Sequence, residues 1–326
     1  GPFRSVLRRQ RYDWGWHTTA LTASLSHLAN ILSTNVPVFG LLGEFEANYL
    51  AAALVAADLA GLQLDSLAIR PELGQAQLHW HRATTSPPPS GLDPEKLAIQ
   101  AATHYLEARG EPSSFAHSFS AALAGIAQAG YCHSLCQTTG VADDAAPDAY
   151  AQITAICKDV LAYRYGFLRF SPTAKSRSES TPSQIPPDDS RPPGQAALAS
   201  AEPSAELLLS GSEKEKTAAE LPESGQVWLR EAAHAVTSPL SDRIEVALVN
   251  YLIKQPGTSL QEIDKVICSA FPGLFTPDTE YLQICLESYA EPDASGSWSL
   301  RPQDSPAERR KDLSEAESLI DHLGSR

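Results

Sequence analysis

The stretch that decides the fold is NVPVFGLLGEFEANYLAAALVAADLAGLQLDSLAIRPELGQAQLHW, residues 35–80. Val36 to Leu42 is a short unbroken apolar run rich in branched and aromatic residues, the signature of a strand buried on both faces. Gly43 closes it. From Glu46 to Ala60 the chain is alanine-rich and apolar on most sides, and Gly61 stands where a helix C-cap is wanted, which predicts a buried helix. Leu62 to Ile69 and Ala76 to Trp80 have strand character, with Pro71, Glu72, Leu73 and Gly74 as the turn between them. A strand, a crossover helix and two strands joined by a short turn predict an α/β unit. Its sheet is expected to be mostly parallel, with an antiparallel final pair, because a parallel return needs a long crossover.

Outward from this stretch, Leu21, Leu25, Leu28, Ile31 and Leu32 recur at three- and four-residue steps, predicting an amphipathic helix from Thr18 to Leu32. Residues 86–93 read as a stiff Pro-rich linker. Asp93 followed by Pro94 is an N-cap with proline at the first helical position. Helical patterning then runs to Gly110, resumes from Phe115 to Ala129 and returns from Asp148 to Tyr165. Residues 171–222 hold eight prolines, ten serines and no aromatic residue, a composition that buries too little apolar surface to offset the entropy of ordering. Order is expected again from Val227, with helices near 242–254, 259–271 and 277–290, a strand at Trp298 to Arg301 and a closing helix from Pro306 to Leu323. Three helices and a hairpin-like wing outline a winged helix. The expected division is therefore 1–85 α/β, 94–170 helical, 171–222 linker and 223–326 winged-helix-like.

The chain is acidic, with 25 Lys and Arg against 39 Asp and Glu and a net charge of −14. Counted along the sequence, residues 1–85 carry six basic and six acidic groups, 86–222 ten and sixteen, and 223–326 nine and seventeen. Such a chain binds nucleic acid poorly in a non-specific way, so any DNA contact must be local. No apolar run is long enough for a membrane span. The five cysteines lack disulfide-scaffold spacing, which suits a reducing cytoplasm. Methionine is absent, which reads as an excised or truncated frame.

The segment from Phe3 to His17, with Leu42-Gly43-Glu44, Ala68-Ile69-Arg70 and Gln75 to Trp80, resembles the rear half of large bacterial DNA methylase-like proteins. Phe271-Pro272-Gly273-Leu274-Phe275-Thr276-Pro277, Leu286-Glu287-Ser288-Tyr289 and Trp298-Ser299-Leu300-Arg301-Pro302 resemble the domain that follows in the same proteins. The resemblance implies a partial class I methyltransferase-like sheet, and S-adenosylmethionine as the cofactor of the complete parent. The parts that carry its chemistry are not here. The glycines are not spaced as a cofactor turn requires, and Pro87-Pro88-Pro89 and Pro186-Pro187 lack the aromatic residue of the Asp/Asn-Pro-Pro-aromatic loop that holds a flipped base. The chain alone is expected to bind no cofactor and methylate nothing. The alternative is a non-enzymatic scaffold or interaction protein.

Candidate sites are few. Arg4, Arg8, Arg9 and Arg11 beside Tyr12, Trp14 and Trp16 combine phosphate-binding guanidinium groups with rings able to stack on unpaired bases. A solvated basic segment with packed tryptophans is the plainer reading. Gly43 and Glu44 lie at the carboxyl end of a strand, where open α/β sheets place ligands. Cys132, His133, Cys136 and Cys157 are poorly spaced for zinc, and His79 and His81 flank Trp80 on one strand face. The expected recognition helix, Pro277 to Ala290, carries Asp278, Glu280 and Glu287 but no Lys or Arg, so a protein partner is expected there rather than DNA.

Overall fold

A helix, α1 (Trp14–Ile31), leads into β1 (Val38–Leu42), α2 (Ala47–Leu59), β2 (Leu62–Arg70) and β3 (Gln75–Arg82). The computed structural model describes residues 14–34, 36–43, 46–83, 91–139, 145–162, 166–170, 225–231 and 237–324, without the side chains of 136–139 and 324. All belong to one compact unit. Arg4, Arg8, Arg9, Arg11, Tyr12, Glu44, the Cys136 side chain, most of the 86–93 linker and the 171–222 stretch lie outside the described residues.

The sheet is antiparallel in both of its pairings. Its order is β1-β3-β2, and β3 runs antiparallel to both neighbours. β1 and β2 therefore point the same way, as a crossover through α2 allows, without pairing to each other. This corrects the expectation of a mostly parallel sheet. The tight turn at Pro71–Leu73, closed by Gly74 in the left-handed region (φ 62°), folds β3 straight back onto β2. β3 then fills the slot beside β1 that a parallel partner would take. Gly40 is part of the fit, since a Cβ there would come 2.5 Å from the Trp80 ring.

One face of this sheet is core and the other is open. Leu62, Leu64, Leu67 and Ile69 of β2 and Ala76, Leu78 and Trp80 of β3 are buried. β1 is not buried on both faces as expected: Phe39 is 76 % and Leu41 65 % exposed, alternating with half-buried Val38, Gly40 and Leu42. An apolar run of this length looks the same in sequence whether one face or both are covered.

α2 is buried from Leu50 to Leu59 without interruption, which explains its lack of a polar side. α1 turns Leu25 towards the core as the spacing expects, but its most deeply buried positions are not the leucines. Thr18, Thr22 and Ala29 are buried while Ile31 is exposed. The threonines tolerate this because their hydroxyls donate to the carbonyls of Trp14 (2.7 Å) and Thr18 (2.8 Å), leaving a slim surface for close helix packing.

Beyond the linker, α3 (Pro94–Arg109) begins at Asp93, whose carboxylate accepts from the amides of Glu95 (3.1 Å) and Lys96 (3.3 Å). β4 (Ser113–Ser114), α4 (Phe115–Gln128), α5 (Tyr131–Thr139), α6 (Ala145–Val160), β5 (Phe167–Phe170) and β6 (Gln226–Leu229) follow. β6 lies between β4 and β5 in a second antiparallel sheet. The order expected at Val227 thus appears as a strand of this sheet, with Val227 and Leu229 in the same continuous core as Leu50, Leu106 and Phe167.

The last part is α7 (Leu240–Lys254), β7 (Thr258–Ser259), α8 (Leu260–Ala270), α9 (Thr279–Tyr289), β8 (Ala290–Pro292), β9 (Ser297–Leu300) and α10 (Pro306–Gly324). Its strands form an antiparallel sheet of order β7-β9-β8, and its helices enclose a second core around Leu248, Ile263, Leu282 and Leu286. Apolar and polar contacts join the two cores. Leu274 and Phe275 pack against the first core, with the Phe275 ring 5.5 Å from that of Tyr105. The guanidinium of Arg70, at the end of β2, donates to both carboxylate oxygens of Asp264 (3.1 and 3.3 Å), to Thr279 Oγ1 (2.6 Å) and to Glu72 (2.9 Å). The free carbonyls ending α3 are met by Thr237 Oγ1 (3.0 Å to both Glu107 and Ala108) and by Arg243 (2.7 Å to Ala108), which satisfies groups that a helix end otherwise leaves orphaned.

Asp58 is the one fully enclosed carboxylate in α2. It accepts from the amides of Cys132 (2.7 Å) and His133 (3.4 Å) and so anchors the start of α5 from another helix. Burial raises its carboxyl from 3.8 to about 7, against the opposing pull of these two amides. The folded chain then keeps a proton that the unfolded chain releases. Asp58 therefore favours the folded state below about pH 4 and loses that contribution as pH rises to about 7, on the order of 4 kcal/mol across the window. Asp58→Asn is expected to remove this fall. Urea unfolding of both proteins across that range checks it, and an unchanged slope in the variant refutes the assignment.

Candidate functional site

The open face of the first sheet is where chemistry-bearing side chains collect. The β2–β3 ladder carries a bulge between Leu64 and Ser66, which puts Asp65 and Ser66 together on this face. Asp65 is shared by two imidazoles of β3, with its carboxylate 2.7 Å from His81 Nδ1 and 3.6 Å from His79 Nδ1. The Phe39 ring stacks on His79 with centroids 4.6 Å apart and planes 8° from parallel. His79 Nε2 is enclosed with no hydrogen-bond partner among the described residues. The two histidines that could have chelated a metal thus hold one carboxylate between them, and no cluster of three or more His, Cys, Asp or Glu fit for a metal occurs among the described residues.

A cleft of about 360 Å³ opens beside this group, between Phe39, Ser66, Gln77 and His79 of the sheet and Cys268 and Pro272. Cys268 lines this cleft. Burial, reinforced by the neighbouring Asp264 carboxylate, pushes its thiol up to about 11. Burial also raises Cys157 and Cys285, so these thiols stay protonated at neutral pH. Cys132 and Cys157 are buried as free thiols.

A smaller cavity of about 170 Å³ lies where the end of β2, α3 and the last module meet. Arg109 pairs with Glu111 at 3.0 Å, and Glu111 also accepts from Ser241 Oγ at 2.5 Å. His117 lines the same cavity, with Nδ1 2.8 Å from Ser114 Oγ. Burial, with the Arg109 charge second, lowers His117 to about 4. Most of these polar atoms are paired with one another, Arg109 Nε having no partner among the described residues, and the Ser114–His117 pair has no third group among the described residues that orients the imidazole for catalysis.

Of the residues singled out by sequence, Trp14 is half-buried, its ring 5.9 Å from that of Tyr49 with the planes 29° apart. Trp16 is 41 % exposed, edge-on to His17 at 5.2 Å. Gly43 is exposed at the end of β1, with open space around it, and lines neither cavity. Sequence reasoning missed Arg70, Asp65, His117 and Asp58. A signal existed only for Asp58, a lone acid in a helix otherwise apolar all round.

His117 sets a pH dependence opposite to that of Asp58. Its folded value lies below its unfolded value, so its contribution is present above about pH 6.5 and lost as pH falls towards 4. His117→Gln is expected to leave only the Asp58 trend, with stability falling steadily from acid to neutral pH. Asp58→Asn should leave only the His117 trend, rising over the same range. Unfolding midpoints for both variants check this; slopes of the same sign would contradict it.

No helix among the described residues is long and apolar enough to cross a membrane. No family model matches the chain, and no curated protein or solved structure matches it either.

Proposed function

We propose that this chain is the rear part of a DNA-modification protein of the methyltransferase-like kind, completing a larger α/β sheet. The observation that carries this reading is the state of β1. It is hydrogen-bonded on one side only among the described residues, and it presents Phe39 and Leu41 to solvent. An unpaired strand edge with exposed apolar side chains is costly, and soluble proteins normally cover it. β1 and β2 share a direction and are linked through a helix, while β3 is reversed. A parallel strand added outside β1 would extend a sheet that ends in an antiparallel hairpin, the end that the sequence resemblance implies. The preceding strands would carry the S-adenosylmethionine turn and the base-holding loop. This chain would supply the end of the sheet and, through Arg4, Arg8, Arg9, Arg11 and exposed Trp16, a local DNA contact.

A second reading, a non-enzymatic interaction protein with a winged-helix-like module, is favoured by α9. Its exposed side chains are Glu280, Gln283, Ile284, Glu287 and Ser288, a surface suited to protein rather than phosphate. Its first residue, Thr279, is already held by Arg70, whereas helices that read the major groove do so with their N-terminal residues.

The test is to express the chain together with the polypeptide encoded directly upstream of Gly1 and to follow methyl transfer from S-adenosylmethionine to DNA. Activity is expected only from the combination, and Phe39→Asp with Leu41→Asp should reduce it at least about tenfold by weakening assembly. Neither cofactor binding nor methyl transfer in any combination would leave the interaction reading in its place.

A further inference from the structure

Phe39, His79 and Ser66 form one row across the open face of the first sheet. The register sets Phe39 of β1 opposite His79 of β3, and His79 opposite Ser66 of β2. The Phe39 and His79 rings lie 8° from parallel with centroids 4.6 Å apart, close to the spacing of neighbouring strands, so they stand as two successive layers of a stack. The third place in the row has no ring. Ser66 brings only a hydroxymethyl group, and the next row repeats the pattern with Leu41, Gln77 and Ala68. The two small side chains of β2 leave a slot beside His79, and Cys268 and Pro272 complete its lining. This is the cleft of about 360 Å³, a size that small-molecule sites occupy.

The lining of the cleft selects what fills the slot. Its one permanent charge is Arg70, whose guanidinium nitrogens are all engaged by Glu72, Asp264 and Thr279, so no free charge is left to meet an ionic ligand. Gln75 and Gln77 line the cleft from the same face of β3, and their carboxamides make no hydrogen bond within the described chain. A carboxamide offers a donor and an acceptor side by side and pairs with a ring edge that carries the two in reverse. A flat, uncharged ring with an adjacent donor and acceptor on its edge satisfies the stack and the amides together, and that is the chemistry of a nucleobase. We propose that this cleft binds a nucleobase, stacked on His79 as the third layer of the row and hydrogen-bonded at its edge by Gln77. Asp65 is a positioning residue, its carboxylate 3.6 Å from His79 Nδ1, where it holds the platform upright. A free nucleoside and an unpaired base on a single strand share this ring chemistry. The site requires no methyl transfer and stands apart from the methyltransferase reading.

Calorimetric titration of the full chain with adenosine, guanosine, cytidine and thymidine tests this, with a short single-stranded oligonucleotide as a second arm. Saturable binding is expected, with a Kd on the order of 100 µM for a nucleoside-sized ligand. Ser66→Phe puts a ring of the chain's own into the third place and should abolish binding. Gln77→Leu removes the paired edge and should weaken binding at least about tenfold. Both positions are exposed, so the unfolding midpoints should hold. His79→Ala removes the platform and should cost about ten- to a hundredfold. An oligonucleotide that binds more tightly than any nucleoside, and loses that binding in Ser66→Phe, supports the proposal with the base carried on a strand. An oligonucleotide that fails to displace a bound nucleoside supports it with the ligand free. If nothing binds at millimolar concentration, or if whatever binds is indifferent to Ser66→Phe and Gln77→Leu, the proposal is overturned.

Discussion

The Arg70 guanidinium is the contact on which the arrangement of the last module depends. A single side chain at the end of β2 binds Asp264 of α8 with two parallel hydrogen bonds and reaches Thr279 at the start of α9. Both charges are largely enclosed, 16 % and 25 % exposed, so the pair is screened less than a surface ion pair and its fork geometry fixes direction as well as distance. The Leu274–Phe275 plug beside it supplies apolar burial that no ion pair provides. Together they make the last module a buttress of the sheet's open side, and the cleft beside Phe39 and His79 exists because α8 is held across that face.

This arrangement constrains function. α9 has its amino end held by Arg70 and its carboxyl end capped by Arg301, whose guanidinium donates to the carbonyls of Glu287 and Ser288. Each end is anchored within the chain, and the side chains left outward are neutral or acidic. On the proposed reading the part to be completed is instead the edge of β1, where covering Phe39 and Leu41 would recover apolar burial and satisfy backbone groups at once. On the same reading, the acidic character of the last module repels phosphate and leaves any DNA contact to the basic segment before α1.

What the sequence made legible was local. Asp93-Pro94 and Gly110 mark the ends of α3 because capping is decided within a few residues, and the hairpin of β2 and β3 is written in its four-residue turn. The inward face of α1 was legible only in part: Leu25 packs as its spacing suggests, but Thr18 and Thr22 look polar until their hydroxyls are seen bonded to the preceding turn. The half-open state of β1 was hidden for a different reason: its apolar run is the same whichever face is covered. The sheet of β4, β5 and β6 unites three short segments from distant parts of the chain and leaves no periodic trace. In the candidate site, aromatic and basic clustering pointed to Trp14 and Trp16, of which Trp16 is the exposed one. The Arg70–Asp264 pair spans 194 residues, and no local pattern announces it.

The central claim is that the last module is fastened to the sheet rather than free to read DNA. Amide hydrogen exchange tests it most directly, comparing α9 with β3 in the native chain and in Arg70→Ala. The account predicts that both elements open together in the native protein. In the variant, α9 should open more easily by about 2–3 kcal/mol, because Asp264 is left enclosed without its partner, while β3 keeps its protection. If α9 exchanges independently of β3 in the native chain, or if the variant leaves α9 unchanged, the buttress is not what holds the module and the account fails.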